Sequence, residues 1–182
     1  MTRDELIHIL RAASKIADDE NVLVIGSQSI LGTYDEGELP DAAVASMEAD
    51  IAFFNDEDNV KSDAVDFAIG EDSHFHELNG YYAQGVSVTT ATLPVGWQLR
   101  VQRIEDKSAL PGRGICLEKH DLVVSKLFAG RPKDFEFADA LASAGLIEAD
   151  VLHQRIDVMD VLPLHKKRMH TQIDSLSWPP AP

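Results

Sequence analysis

Residues 22–27, VLVIGS, followed after an interval of 20 residues by EADIAF at 48–53, carry the reading that decides the fold. Val22 to Ile25 is a short apolar run closed by Gly26, the pattern of a buried strand ending in a turn. Gly26-Ser27 then opens a short helix-compatible stretch, Gln28 to Leu31. A helix start of this kind leaves backbone N–H groups free for an anion, and the Ser27 hydroxyl adds a donor. Ala49 to Phe54 reads as a second strand. Its period of two sets Ile51 and Phe53 on one face and Glu48, Asp50 and Ala52 on the other, so two carboxylates project together. Hard divalent cations require such oxygen ligands on one side, although an acid-x-acid pair alone is more often the solvated face of a strand.

Upstream, Thr2 and Glu5 form a capping-box signature, and Leu6, Ile9, Leu10, Ala13 and Ile16 recur at helical spacing. Between Ser27 and the acid pair, Gly32, Gly37 and Pro40 punctuate a polar, acidic loop that is expected to be mobile. Downstream, Val60 to Ile69 suits a helix, and Val86 to Leu93 and Leu99 to Ile104 suit strands separated by Pro94 and Gly96. From Leu117 the pattern turns helical: Glu118 to Ala129 before Gly130, Lys133 to Ala144 before Gly145, and Glu148 to Met159 before Pro163. The expected class is α/β of the α+β kind, a mixed sheet flanked by helices and followed by a helical C-terminal half. The expected division is a core over 1–115, a helical part over 116–175 packed on it as one compact unit, and a flexible tail over 176–182, where three prolines follow Trp178.

Composition sets outer limits. Of 182 residues 45% are hydrophobic, yet no run approaches the roughly 20 apolar residues of a spanning helix, and MTRDELIHIL lacks the basic start of a secretory signal. A soluble, cytoplasmic protein without a membrane partner is expected. A lone cysteine, Cys116, offers neither an internal disulfide nor a cysteine zinc site. The net charge of -15 arises wholly within residues 1–80, with 19 acids against 4 bases; residues 81–182 hold 12 of each. Arg100 to Lys133 carries 8 bases and 4 acids, a local excess that could attract phosphate. The overall sign disfavours a large polyanion except over that segment.

In its second half the chain runs HDLVVSKLFAGRPKDFEF over residues 120–137. Together with Val24-Ile25-Gly26-Ser27 and Glu48-Ala49-Asp50-Ile51, this resembles the nucleotidyltransferase superfamily, and in particular AbiEii/MenT-type toxin nucleotidyltransferases and their uncharacterised relatives. The matching segments span most of residues 20–150. The resemblance implies Mg²⁺ on Glu48 and Asp50, nucleotide phosphate on Gly26 and Ser27, triphosphate on Lys126, a further phosphate ligand in Arg131, and Asp134 orienting or activating the acceptor. The implied reaction moves a nucleoside monophosphate from an NTP to an acceptor hydroxyl such as the tRNA 3′ end, in a toxin countered by a cognate antitoxin protein. Two alternatives stay open: modification of a protein hydroxyl, and a catalytically quiet binding module of the same fold. Three departures bear on the choice. The loop before Glu48 is long, the first acid is Glu where Asp is usual, and the strand read over Val86 to Thr90 lacks the third carboxylate common in the superfamily, so that either Asp134 substitutes for it spatially or activity is reduced.

Lys126 supports the resemblance independently. It lies among Leu122, Val123 and Leu127 on a helix expected to bury a face, so its ammonium must snorkel to water or meet an anion. Other polar groups point less firmly to a site. His74 and His76 would share a face if their segment were a strand, but no acid stands at ligand spacing. His165 to His170 is a basic cluster of the kind helix ends carry. Cys116 has no flanking cue for a nucleophile and reads as a small buried hydrophobe.

Overall fold

The computed structural model describes residues 1–180. Its first helix, α1 (Arg3–Ala17), starts on the anticipated capping box: the Thr2 hydroxyl accepts from the Glu5 N–H, and the Glu5 carboxylate accepts from the Thr2 N–H. Leu6, Ile9, Leu10 and Ala13 are fully buried, which is the stripe their spacing implies. Five short strands follow, interleaved with helices: β1 (Asn21–Val24), α2 (Asp41–Val44), β2 (Glu48–Ala52), α3 (Val60–Ile69), α4 (His74–Asn79), β3 (Tyr82–Gly85), β4 (Gln102–Ile104) and β5 (Arg113–Cys116). They form one sheet in the order β3-β2-β1-β5-β4. β1 runs antiparallel to β2 and parallel to β5, β2 is parallel to β3, and β4 is antiparallel to β5. The sheet is therefore mixed, as expected.

Four helices follow among the described residues: α5 (Lys119–Ala129), α6 (Pro132–Ser143), α7 (Ala149–Asp157) and α8 (Pro163–Asp174). α1 and α3 pack together beside the sheet, while α5 rests on the 3-10 turn that follows β1 and gathers α6, α7 and α8 around it. The buried apolar residues form one cluster running from Leu6 through the strands to Leu127, Leu141 and Ile173. The 115/116 division falls within β5, where the parallel partner of β1 also leads into α5. At the C-terminus Leu176 is buried, Ser177 N–H donates to Asp139 Oδ1 at 2.7 Å, and Trp178 Nε1 donates to Ile173 O at 3.0 Å. Residues 176–178 of the expected tail are thus docked; 181–182 lie outside the described residues. Among the described residues no helix is long and apolar enough to cross a membrane.

Several expected elements differ. The strand read over Val86 to Leu93 is instead β3, four residues earlier, and Val88–Thr90 closes a 3-10 turn in which the Ser87 hydroxyl accepts from Thr89 N–H. Leu99 to Ile104 shortens to β4, because Gly96 at φ +77° starts a 3-10 turn over Trp97–Leu99. His74 and His76 belong to α4, so their side chains diverge; His74 pairs with Glu77, and the His76 ring packs at a tilt of 50° against Tyr82. The loop before Glu48 is largely organised, by a short 3-10 turn at Glu36–Glu38 and by α2.

Candidate functional site

The end of β1 delivers Gly26 against the middle of β2, where Ile25 N–H donates to the Asp50 carbonyl at 3.1 Å. A Cβ at Gly26 would stand 1.5 Å from Asp50 Oδ2. The Asp50 carboxylate therefore occupies the space that any larger residue at position 26 would fill, which accounts for a glycine there without appeal to turn geometry. Ser27 begins the 3-10 turn Ser27–Gly32, held to the sheet by the Ser29 hydroxyl, which donates to Val24 O and accepts from Leu117 N–H.

Glu48 and Asp50 project from the same face of β2, half-buried, while Ala49, Ile51 and Ala52 are buried. Tyr82, registered opposite Glu48 on β3, donates its hydroxyl to Glu48 Oε2 at 3.0 Å. Burial, and then the neighbouring Glu48 charge, push the Asp50 carboxyl up to about 6, with Lys126 opposing. Burial and the bond to Glu48 push the Tyr82 phenol up to about 12, so it remains a donor at neutral pH. Two carboxylates held this close repel one another unless a cation lies between them.

Across the cleft, α5 ends on Gly130 at φ +70°, and Arg131-Pro132 starts α6 at once. This tight junction brings Lys126, Arg131 and Asp134 together. Asp134 is fully buried and accepts from Arg131 Nε at 2.6 Å, Arg131 Nη2 at 3.1 Å and Lys126 Nζ at 3.3 Å. Burial alone would raise its carboxyl; the Arg131 hydrogen bond and the two cations hold it below the ordinary carboxylate range. Burial lowers the Lys126 ammonium against the pull of Asp134, and Nζ also lies 4.7 Å from the Phe137 ring centroid.

The expected spatial substitution of a third carboxylate by Asp134 does not occur. Its oxygens are taken by two cations, and among the described residues no group of three or more His, Cys, Asp or Glu side chains is set to share a metal ion. The residue registered with Asp50 on β3 is Gln84, a neutral amide. For Mg²⁺ the fit rests on the donor chemistry: two neighbouring carboxylates on one face, Asp50 pushed up by burial and by the Glu48 charge, with remaining positions left to phosphate oxygens and water, is the pattern that ion accepts.

The cleft consists of two adjoining cavities of about 430 and 400 Å³. Asp50, Gln84, Lys126 and Arg131 line both and form the seam. Ser27, Glu48 and Lys133 open only to the larger, and Gly26 only to the smaller. Six of the seven residues anticipated for the site thus line one cleft, and the seventh, Asp134, is buried behind it in contact with Lys126 and Arg131. Gln84 and Tyr82 lie outside the residues expected for the site, because β3 runs four residues before the strand that Val86 to Leu93 predicts.

The remaining candidates have structural employment. Arg168 donates to Phe128 O and Leu127 O at the end of α5, and Lys166 to Asp157 O at the end of α7, so this basic cluster closes helices. Burial pushes the Cys116 thiol up to about 12, leaving it inert.

Compared with known proteins, the chain matches the family described as "Nucleotidyltransferase of unknown function (DUF6036)" over residues 4–178. Neither curated proteins nor solved structures give a match.

Proposed function

This chain belongs to that nucleotidyltransferase family, and from this premise we propose that it transfers a nucleoside monophosphate from an NTP to an acceptor hydroxyl with Mg²⁺ held by Glu48 and Asp50. The observation that carries the proposal is the opposition of one acidic and one cationic group of side chains across a single cleft. Glu48 and Asp50 stand on β2, and Lys126 and Arg131 stand at the α5–α6 junction, with Ser27 on the same cavity wall. Bound Mg²⁺ would neutralise triphosphate charge and polarise the reacting phosphate.

The protein's own groups divide the remaining work. Lys126 and Arg131 supply positive charge to the triphosphate, and Ser27 supplies a hydroxyl donor at a helix-like start. Asp134 is then a positioning residue: it fixes both cations instead of activating an acceptor. Tyr82 orients Glu48. In the reaction, the acceptor oxygen bonds to the α-phosphorus, the bond to the bridging oxygen breaks, and pyrophosphate leaves with the electron pair. The hydroxyl proton passes to Asp50, which among the described residues is the one carboxylate lining both cavities, and from there to water.

The tRNA 3′ end, with its toxin context, is the acceptor the resemblance suggests. The second reading, a quiet nucleotide-binding module, is favoured by one observation: the position beside Asp50 on β3 holds Gln84 instead of an acid. Incubation with Mg²⁺, labelled NTPs and total tRNA or cell extract tests the assignment, with Asp50→Ala in parallel. Label on an acceptor in wild type and its loss in Asp50→Ala are expected. Equal labelling by both proteins would remove Asp50 from the mechanism, and nucleotide binding without any labelling would select the binding module.

A further inference from the structure

The two cavities of the cleft differ in chemistry. The larger holds every formally charged group that lines the cleft: Glu48, Lys133 and Glu136 as well as Asp50, Lys126 and Arg131 of the seam. The smaller adds no charge beyond the seam; its own polar groups are the hydroxyls of Thr90, Thr92 and Ser125, set between Ile25, Val86 and Phe128. A triphosphate with its cation suits the first cavity. The second suits an uncharged molecule with both hydroxyls and apolar faces, and its volume of about 400 Å³ lies within the range of small-ligand sites.

The surroundings point the same way. Of the eight bases between Arg100 and Lys133, five are held in ion pairs: Arg100 with Asp121, Arg113 with Glu20, Lys119 with Glu148, and Lys126 and Arg131 with Asp134. The segment is no free basic track, and the chain as a whole carries -15. A polyanion such as tRNA would meet repulsion without the phosphate contacts that ordinarily dominate its affinity.

We infer that the smaller cavity, walled by Thr90, Thr92, Ser125 and Phe128, is the acceptor site, and that the acceptor is a small uncharged hydroxyl compound. This rests on the nucleotidyltransferase reading and names the acceptor class for the same site. A hydroxyl entering from this cavity meets the nucleotide at the seam, beside Asp50 and Lys126.

Two exposed alanines allow each cavity to be filled separately: Ala129 lines the smaller and Ala45 the larger. Binding of an α,β-methylene ATP or GTP analogue with Mg²⁺ is measured by calorimetry for wild type, Ala129→Trp and Ala45→Trp. The small-molecule filtrate of a cell extract is separated by ion exchange into neutral, cationic and anionic fractions. Each fraction, and the macromolecular retentate, is then offered with labelled NTP. The expectation is that Ala45→Trp loses analogue affinity at least tenfold and Ala129→Trp keeps it, that wild type labels the neutral fraction, and that Ala129→Trp loses that labelling at least tenfold. Loss of analogue binding in Ala129→Trp would assign the smaller cavity to the nucleotide and overturn the inference. Label confined to a charged fraction or the retentate, RNA and protein included, or no label despite analogue binding, would overturn the acceptor class. If wild type binds no analogue, the nucleotidyltransferase reading itself fails, a separate outcome.

Discussion

Asp50 and Gly26 have to be understood as a pair, since the carboxylate of one fills the space a side chain on the other would need. Gly26→Ala is therefore expected to displace the Asp50 carboxylate. The cost to stability should be about 1–3 kcal/mol, as for an overpacked core, while nucleotide transfer should fall about 10²-fold, the usual consequence of a misplacement near 1 Å. Chemical denaturation and a transfer assay on the same preparation would separate the two effects. The Asp50 carboxyl makes a second prediction. Its pKa rises from 3.8 to about 6 on folding, chiefly through burial and then through Glu48. Between those values the folded chain retains a proton that the unfolded chain gives up, so this residue's contribution to stability falls as pH rises through the window, and the deficit is complete above about 6. In EDTA, Asp50→Asn should match wild type below about pH 4 and melt at a higher temperature above about pH 6. Added Mg²⁺ should raise the melting temperature of wild type more than that of the variant. A constant difference across the pH range would show that the acid pair is not strained.

At the scale of elements, the turn from α5 into α6 does most to build the site. Gly130 ends one helix in the left-handed region and Pro132 starts the next within two residues, so Lys126 in the last turn of α5 faces Asp134 in the first turn of α6. Removal of the buried carboxylate by Asp134→Ala leaves two cations without their partner. Breaking a buried pair typically costs about 3–5 kcal/mol, and the lower end applies here because Arg131 reaches water. Asp134→Ala should thus lower unfolding free energy by about 3 kcal/mol in urea titrations, and weaken NTP-analogue binding as Lys126 and Arg131 lose their positions. Unchanged analogue affinity would remove Asp134 as a positioning residue. Helices were legible in the sequence where a start or stop is local: the Thr2–Glu5 box opens α1 and Gly130 ends α5, while the start of α6, read at Lys133, lies one residue earlier at Pro132. Val60–Ile69 was legible to the residue. The edge strands were not. Val86 to Thr90 has the β-branched content of a strand, but Ser87 hydrogen-bonds its own backbone and turns the chain, while Tyr82–Gly85 earns its place only through pairing with β2, a tertiary effect. Glu48, Asp50 and Lys126 could be read from local pattern and Arg131 from the family resemblance; Tyr82 and Gln84 could not, because their place depends on register.

Across the whole molecule, the distribution of charge and the continuity of the core act together. The acids that make the chain -15 lie in its first 80 residues, yet the apolar cluster ignores that boundary and runs from α1 to Leu176. The last residues therefore belong to the same cooperative unit as the site, through α8 and its contacts with α5 and α7. Leu176 is buried, Trp178 packs against the core and bonds to Ile173 O, and Ser177 ties the chain to Asp139 on α6. A chain ended after Ser175 loses all three. Burial of one leucine contributes about 1.5–3 kcal/mol, and the tryptophan contact and the Asp139 bonds add to it, so a loss of about 3 kcal/mol is expected, equivalent to roughly 10 °C in melting temperature for a chain of this size. A chain ended after Trp178 keeps these contacts and should melt with wild type. The comparison reports on the site as well: α6 carries Asp134 in its first turn and Asp139 near its middle, so a truncation that loosens α6 should also reduce NTP-analogue affinity. If the shorter chain melts lower but binds the analogue unchanged, α6 is held at its site end by the Gly130–Pro132 junction alone.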